Sequence, residues 1–237
     1  MRFGKIEYLN LLPFDTFIKA YPLSASSKKF IALKKSYPSR LNHDFLFRRI
    51  DAGFISSIAG MYADSRHKAL PCGIISKGAV WSVLAKSGSG LDYQSATSNA
   101  LLRVLELKGE VLIGDRALKF KADGGKALDL GELWWHKHKL PFVFGRLCYN
   151  KYGKYLEQIT KAFTKHHRYK IPHYILHRAA RDTQIQSNYI REYLKRIFYS
   201  MGTKEHIALH RFYRELRLRR IKPPQRFEAL RGCKGGI

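Results

Sequence analysis

Ser95-Ala96-Thr97-Ser98 places three hydroxyls within four residues, directly ahead of an apolar stripe at Leu101, Val104 and Leu105 spaced as on a helix. The first N–H groups of a helix lack intrahelical partners and carry the positive end of its dipole. A carboxylate or phosphate can bind there, and Ser95, Thr97 and Ser98 would add donors. The alternative is a simple helix cap, for which one hydroxyl suffices. Asp115 follows the strand-like run Val111-Leu-Ile-Gly114. It could face a cleft as an acceptor or proton handler, or pair with Arg116, or cap the next turn. Asn10 follows a first strand, and its amide can both donate and accept, which suits a hydroxyl-bearing ligand. A turn cap is the alternative there. Ser76 and Gly78 interrupt two strand-like runs and form either a crossover offering backbone amides or a hairpin turn.

Other chemistries find less support. The ten histidines include His136-x-His138, His166-His167, and His173 with His177. No His-Glu-x-x-His or thiol–imidazole cluster at zinc spacing accompanies them. Gly-x-Gly-x-x-Gly is absent, and Lys86-Ser-Gly-Ser-Gly90 lacks the ending of a phosphate loop, which speaks against ATP and NAD. Cys72, Cys148 and Cys233 form no Cys-x-x-Cys and read as reduced structural thiols.

The elements that must position these residues follow from periodicity. Phe3–Leu9 reads as a strand, and Pro13 opens a helix through Phe14, Phe17 and Ile18. Asn42 can cap a helix through Leu46 and Ile50. Residues 51–58, 73–75, 79–84, 110–114 and 140–145 read as strands, and 131–135 as a helix. Residues 151–166, 184–200 and 203–219 carry helical spacing, and Pro223-Pro224 would stop the last helix. The order is that of an α/β protein with room for two lobes and a cleft. Ligands in such folds gather at strand-to-helix junctions, where Asn10 stands.

The net charge is +26, with +11 over residues 1–149 and +15 over residues 150–237. Such a field favours anions of any kind. Arg211, Arg214, Arg217, Arg219, Arg220 and Lys222 make a basic helix end, which a nucleic acid could use. A solvated helix C-terminus is the plainer reading, and no nucleic-acid-binding signature is present. No apolar run has the length of a leader or of a membrane span. A cytoplasmic location is the expectation from that.

Five segments in order resemble the chorismate dehydratase family of the futalosine route to menaquinone. They are Gly4-Lys-Ile-Glu-Tyr-Leu-Asn-Leu-Leu-Pro13, Ile75-Ser-Lys-Gly-Ala-Val-Trp-Ser-Val83, Asp92-Tyr-Gln-Ser-Ala-Thr-Ser98, Leu112-Ile-Gly-Asp-Arg-Ala-Leu118, and Asp129-Leu-Gly-Glu-Leu-Trp134 followed by Leu140-Pro-Phe-Val-Phe144. The resemblance implies a periplasmic-binding-protein-like fold of the second type. Lobe 1 would hold residues 1–82, lobe 2 residues 83–146, and residues 147–237 would return to lobe 1 and supply the basic helices. About a dozen residues join Ser98 to Val111, fewer than is usual in the family, so lobe 2 should be small. The implied reaction is loss of water from chorismate to give 3-[(1-carboxyvinyl)oxy]benzoate, with no metal or redox cofactor. The substrate's own enolpyruvyl carboxylate would act as base. The protein would hold a small dianion in a positive cleft, with Ser95, Thr97 and Ser98 on a carboxylate and Asn10 orienting the hydroxyl or ring. Asn10 and Ser95 are the catalytic candidates. Ser76, Gly78 and Asp115 would complete the binding wall.

Overall fold

The computed structural model describes residues 1–88, 90, 95–165 and 170–224. Strands β1 (Phe3–Ile6), β2 (Lys34–Ser36) and β3 (Ala52–Ser56) are parallel, with β1 in the middle. Strand β8 (Phe142–Tyr149) runs antiparallel between β3 and β4 (Ala69–Ser76), and β9 (Ile197–Ser200) closes the far edge of β4. The larger sheet thus has the order β2-β1-β3-β8-β4-β9. A second sheet has three antiparallel strands in the order β6-β5-β7, from β5 (Val83–Lys86), β6 (Glu110–Ile113) and β7 (Leu128–Asp129).

Helices start close behind the strands. Behind β1 come a 3-10 turn at Leu9–Leu11 and α1 (Leu12–Ala20), with α2 (Ala25–Leu33) leading into β2. Behind β2 comes α3 (Pro38–Leu46), and behind β3 comes α4 (Ser57–Asp64). In the smaller sheet, α5 (Ala96–Val104) precedes β6, and α6 (Gly114–Ala122) and α7 (Leu130–His138) follow β6 and β7. The C-terminal part supplies α8 (Gly153–Thr164), α9 (His173–Thr183), α10 (Ser187–Leu194) and α11 (Thr203–Leu218). None of the described helices is long and apolar enough to cross a membrane.

Two aromatic groups anchor the core. Phe3, Phe14, Phe54 and Phe163 meet edge to face or stacked at 5.1–6.5 Å, joining β1, α1, β3 and α8. Trp134, Phe142 and Phe212 do the same at 5.0–6.0 Å, joining α7 of the small lobe to β8 and α11. The Trp134 indole donates to the Pro141 carbonyl at 3.0 Å. Arg146 on β8 is fully buried and pairs with Asp64 at the end of α4.

Several expectations are corrected. Residues 184–200 are not one helix. Helix α10 ends at Leu194, and Ile197-Phe-Tyr-Ser200 pairs with the open edge of β4, with Ile197 opposite Ser76. A β-branched and aromatic run fits an edge strand better than a helix. Asn42 is no cap. It lies inside α3, buried, donating to Ser56 Oγ at 2.6 Å and accepting from the Ser56 N–H at 3.0 Å. Residues 79–82 are irregular, and the strand begins only at Val83. Helix α11 stops at Leu218, where Arg220 takes a left-handed conformation, ahead of Pro223.

β1 and β3 approach closely because both carry glycine at the contact. A Cβ on Gly53 would lie 2.4 Å from the Gly4 carbonyl oxygen. Gly53→Ala should therefore force the parallel pair apart, with a loss of about 1–3 kcal/mol in urea unfolding. An unchanged midpoint would show that the strands can separate freely.

Candidate active site

Ile6, Tyr8 and Asn10 from the end of β1, Ser56 from the end of β3, and Ile74, Phe144 and Gly145 from β4 and β8 form one wall of a cavity between the two sheets. Val80, Ser82, Val83, Ser95, Ser98, Ile113 and Gly114 form the other wall, and Pro38 closes one side. The enclosed volume is about 50 Å³. Among the described residues that line it, none is lysine, arginine, aspartate or glutamate. The positive cleft expected from the overall charge is thus not built from cationic side chains.

Helix starts take their place. Asn10 lies in the 3-10 turn before α1, Pro38 opens α3, Ser56 stands just ahead of α4, Ser95 caps α5, and Gly114 opens α6. Helix starts carry the positive end of the helix dipole, and several of their N–H groups are already engaged here: Ser98 donates to Ser95, Ile58 to Thr97, Gly114 to the Ser82 carbonyl and Leu9 to Asp115. Parallel strands β2, β1 and β3 put three of these starts at one sheet edge, because each helix begins where its strand ends.

The hydroxyl cluster splits into two roles. Ser95 Oγ accepts from the Ser98 N–H at 3.1 Å and donates to Ser98 Oγ at 2.7 Å. The cap reading is therefore realised, yet both side chains still face the cavity, and the Ser98 hydroxyl keeps its proton for a ligand. Thr97 turns away. Its Oγ1 accepts from the Ile58 N–H at 3.2 Å, supplying α4 with the cap its own Ser56 side chain does not give. Thr97 is corrected from anion donor to a clamp between α4 and α5.

Asn10 Oδ1 is buried without a hydrogen-bond partner. Its backbone carbonyl accepts from the Tyr199 hydroxyl at 2.6 Å, which fixes the turn while leaving the amide to the cavity. Ser76 and Gly78 belong to a crossover between the sheets, not to a hairpin. They do not line the cavity. Ser76 Oγ, itself without a partner, and the Gly78 carbonyl pack against Gly131 at the start of α7. The crossover is held by Asp129, whose carboxylate accepts from the Val80, Trp81, Gly131 and Glu132 N–H groups at 2.7–3.1 Å. Burial pushes Asp129 up, and these donors oppose the shift.

Asp115 is also corrected. It stands outside the cavity lining, in the first turn of α6, and accepts from the Leu9 N–H at 3.0 Å, tying the small lobe to the turn that carries Asn10. Burial raises its carboxyl to about 6, against the Leu9 hydrogen bond and with help from Glu7. Residues missed from sequence are Ser56, Ser82, Tyr8 and Phe144. Ser82 accepts from the buried Tyr193 hydroxyl at 3.0 Å, and Gly114 takes a left-handed φ of 62° with Tyr8 where a Cβ would sit.

Among the described residues, no group of three His, Cys, Asp or Glu is placed to hold a metal ion. His166, His167 and Cys233 lie outside the described residues. Cys72 and Cys148 are buried and unpaired, and burial pushes the Cys148 thiol up to about 12, so they are structural.

A two-lobed α/β cleft lined by helix starts is the architecture of periplasmic-binding-protein-like folds. The profile of a family described as menaquinone biosynthesis matches residues 1–110 and 105–217, and the chain belongs to that family. It is 44% identical over 217 residues to a chorismate dehydratase from Campylobacter jejuni, covering 90% of this chain and 96% of that protein. Among solved structures, a structural-genomics protein from Archaeoglobus fulgidus superposes with TM-score 0.61 at 15% identity, covering 93% of this chain and 97% of that one. The periplasmic aliphatic sulphonate binding protein from Escherichia coli follows at TM-score 0.50 and 13% identity, covering 95% and 94%. These likenesses are of fold alone. The cytoplasmic expectation is nevertheless corrected by them. It rested on the lack of an apolar leader, and the fold's solved neighbours include a periplasmic protein.

Two outcomes test these assignments. Thr97→Val should cost about 1 kcal/mol of stability through the lost cap on α4, and an unaltered unfolding midpoint would contradict it. Asp115, raised in the folded state, contributes stability that is full below the ordinary carboxylate value of 3.8 and is lost as pH rises through about 6. Asp115→Asn keeps an acceptor for Leu9 without the charge. Its melting temperature should gain on the wild type as pH rises from about 4 to about 6 and keep a constant lead above that. Parallel pH profiles would rule this out.

Proposed function

We propose that the cavity between the sheets is the site at which the chain eliminates water from chorismate, giving 3-[(1-carboxyvinyl)oxy]benzoate. The observation that carries this reading is the convergence of five helix starts on a cavity whose described lining residues carry no Lys, Arg, Asp or Glu. Such a site attracts carboxylates, and among the described lining residues it offers no carboxylate or lysine as a base. That suits an elimination in which the substrate supplies the base itself. The enolpyruvyl carboxylate takes the proton from the ether-bearing ring carbon. The electron pair forms the new ring double bond, and the neighbouring hydroxyl leaves as hydroxide, so that proton and hydroxide leave together as water. Aromatisation drives the step.

The residues then have distinct tasks. Ser95, Ser98 and the first-turn N–H groups of α5 hold a carboxylate and stabilise charge that develops on it. Asn10 addresses the ring hydroxyl, its Oδ1 accepting or its Nδ2 donating as the group departs. Phe144, Ile74 and Val80 supply apolar surface for the ring. Small-molecule pockets run from ~300 Å³ upward, so a cavity of about 50 Å³ must widen to take the substrate. The lobes must part to admit substrate and then close to exclude water. The reacting carboxylate and C–H are held together by this closure, which replaces a catalytic dyad by positioning.

The purified protein should consume chorismate and release the enolpyruvyl benzoate in product analysis without added nucleotide. Ser95→Ala should lower kcat/KM roughly ten- to hundredfold, the range expected for one lost hydrogen bond to a charged group. Asn10→Asp should be worse than Asn10→Ala, because it sets a charge against a dianion. Chorismate bound but unchanged would mark a binding protein instead. Equal rates for the two Asn10 variants would remove Asn10 from the site.

A further inference from the structure

A second and larger cavity lies on the far side of the Asn10 turn. It has a volume of about 560 Å³, within the ~300–1,000 Å³ of small-molecule sites. Its floor is apolar: Pro13 of α1, Leu176 of α9, Leu194 of α10, and Ile197 and Phe198 of β9. Leu176 and Ile197 are buried, whereas Phe198 is partly exposed with its ring 5.0 Å from the Lys77 ammonium. Lys170, Arg191 and Lys195 stand around it, all exposed. Glu192 pairs with Lys195 at 2.5 Å, and Arg191 donates to Asn188 at 3.2 Å, so Lys170 and Arg191 give the rim its net positive charge. An apolar floor under a cationic rim is complementary to an amphipathic anion, with the body buried and the charge at the mouth.

Two links connect this cavity to the catalytic cleft. Tyr199 lines it and donates its hydroxyl to the Asn10 carbonyl at 2.6 Å. Ile197 in its floor is paired in register with Ser76, the last residue of β4 before the crossover. A body seated in this cavity therefore touches Tyr199, which holds the Asn10 carbonyl, and Pro13, which lies in α1 two residues beyond the turn.

We propose that this cavity is a second ligand site, for a small amphipathic anion consisting of an apolar ring or chain and one carboxylate or sulfonate, and that its occupancy is coupled to the cleft through Tyr199 and Asn10. By linkage, a ligand that prefers one arrangement of the turn shifts the apparent affinity for substrate, by roughly fivefold or more for typical couplings.

The probe is 8-anilinonaphthalene-1-sulfonate, titrated into the full chain by fluorescence and then added to chorismate turnover. Expected are saturable binding that chorismate does not displace, a several-fold shift in the KM for chorismate, and an at least tenfold loss of probe affinity in Lys170→Gln/Arg191→Gln. The KM shift should vanish in that variant while its basal kcat and melting temperature stay at the wild-type values. Arg191→Gln alone should lose part of the affinity, and it provides the test if the double variant folds poorly. Equal probe binding by wild type and variants would overturn the proposal. So would displacement by chorismate, which would place the probe in the cleft, or saturable binding with no change in KM.

Discussion

On the proposed reading, the constraint around which this molecule is arranged is holding a dianion with no cationic side chain among the described lining residues. The chain carries +26 overall, yet no charged residue is found among the described residues lining the cleft. On the proposed reading the attraction comes from helix starts, whose partial charges act only over the first turn. Their value depends on placement, and placement comes from topology. Because β2, β1 and β3 are parallel, the starts of α3, the Asn10 turn and α4 emerge along one edge. The starts of α5 and α6 face them from the smaller sheet.

Placement of this kind requires the two lobes to be tied through backbone groups. Asp129 gathers four N–H groups from the crossover and from α7. Asp115 binds the Leu9 N–H, Thr97 caps α4 from α5, and Tyr193 holds Ser82. These are single polar contacts in otherwise apolar surroundings, where an unmatched partner is costly. They orient the site without entering it. The basic excess has another location. At the C-terminal end, Arg211 and Arg219 pair with Glu215, and Arg219 also reaches Glu106.

The parts of the site governed by local rules were legible in the sequence. Ser95 and Ser98 announce a helix start, and Asn10 lies at a strand end, because both depend on neighbours a few residues away. Roles set by distant partners were not legible. Thr97 has the same sequence signature as Ser95, but its partner Ile58 is 39 residues away. Asp115 answers to Leu9 across 106 residues. Ser56 and Ser82 come to the cleft only once β3 and the crossover are placed. The α/β class and the two-lobed cleft follow from the order of strands and helices. The edge strand β9 carries three- and four-residue spacing that suits a helix, and only the open edge of β4 decides otherwise. Net charge was the least reliable guide, since it reports the whole surface and not the cavity.

The central claim is that helix starts, and not cationic side chains, hold the substrate. The most direct test is a crystal structure of the chain with 3-[(1-carboxyvinyl)oxy]benzoate bound. The account predicts one carboxylate on the first turn of α5, within hydrogen-bond distance of Ser95 or Ser98 and a backbone N–H, with the ring beside Asn10. A product whose carboxylates rest on lysine or arginine side chains, or that lies outside the cleft between the two sheets, would contradict it.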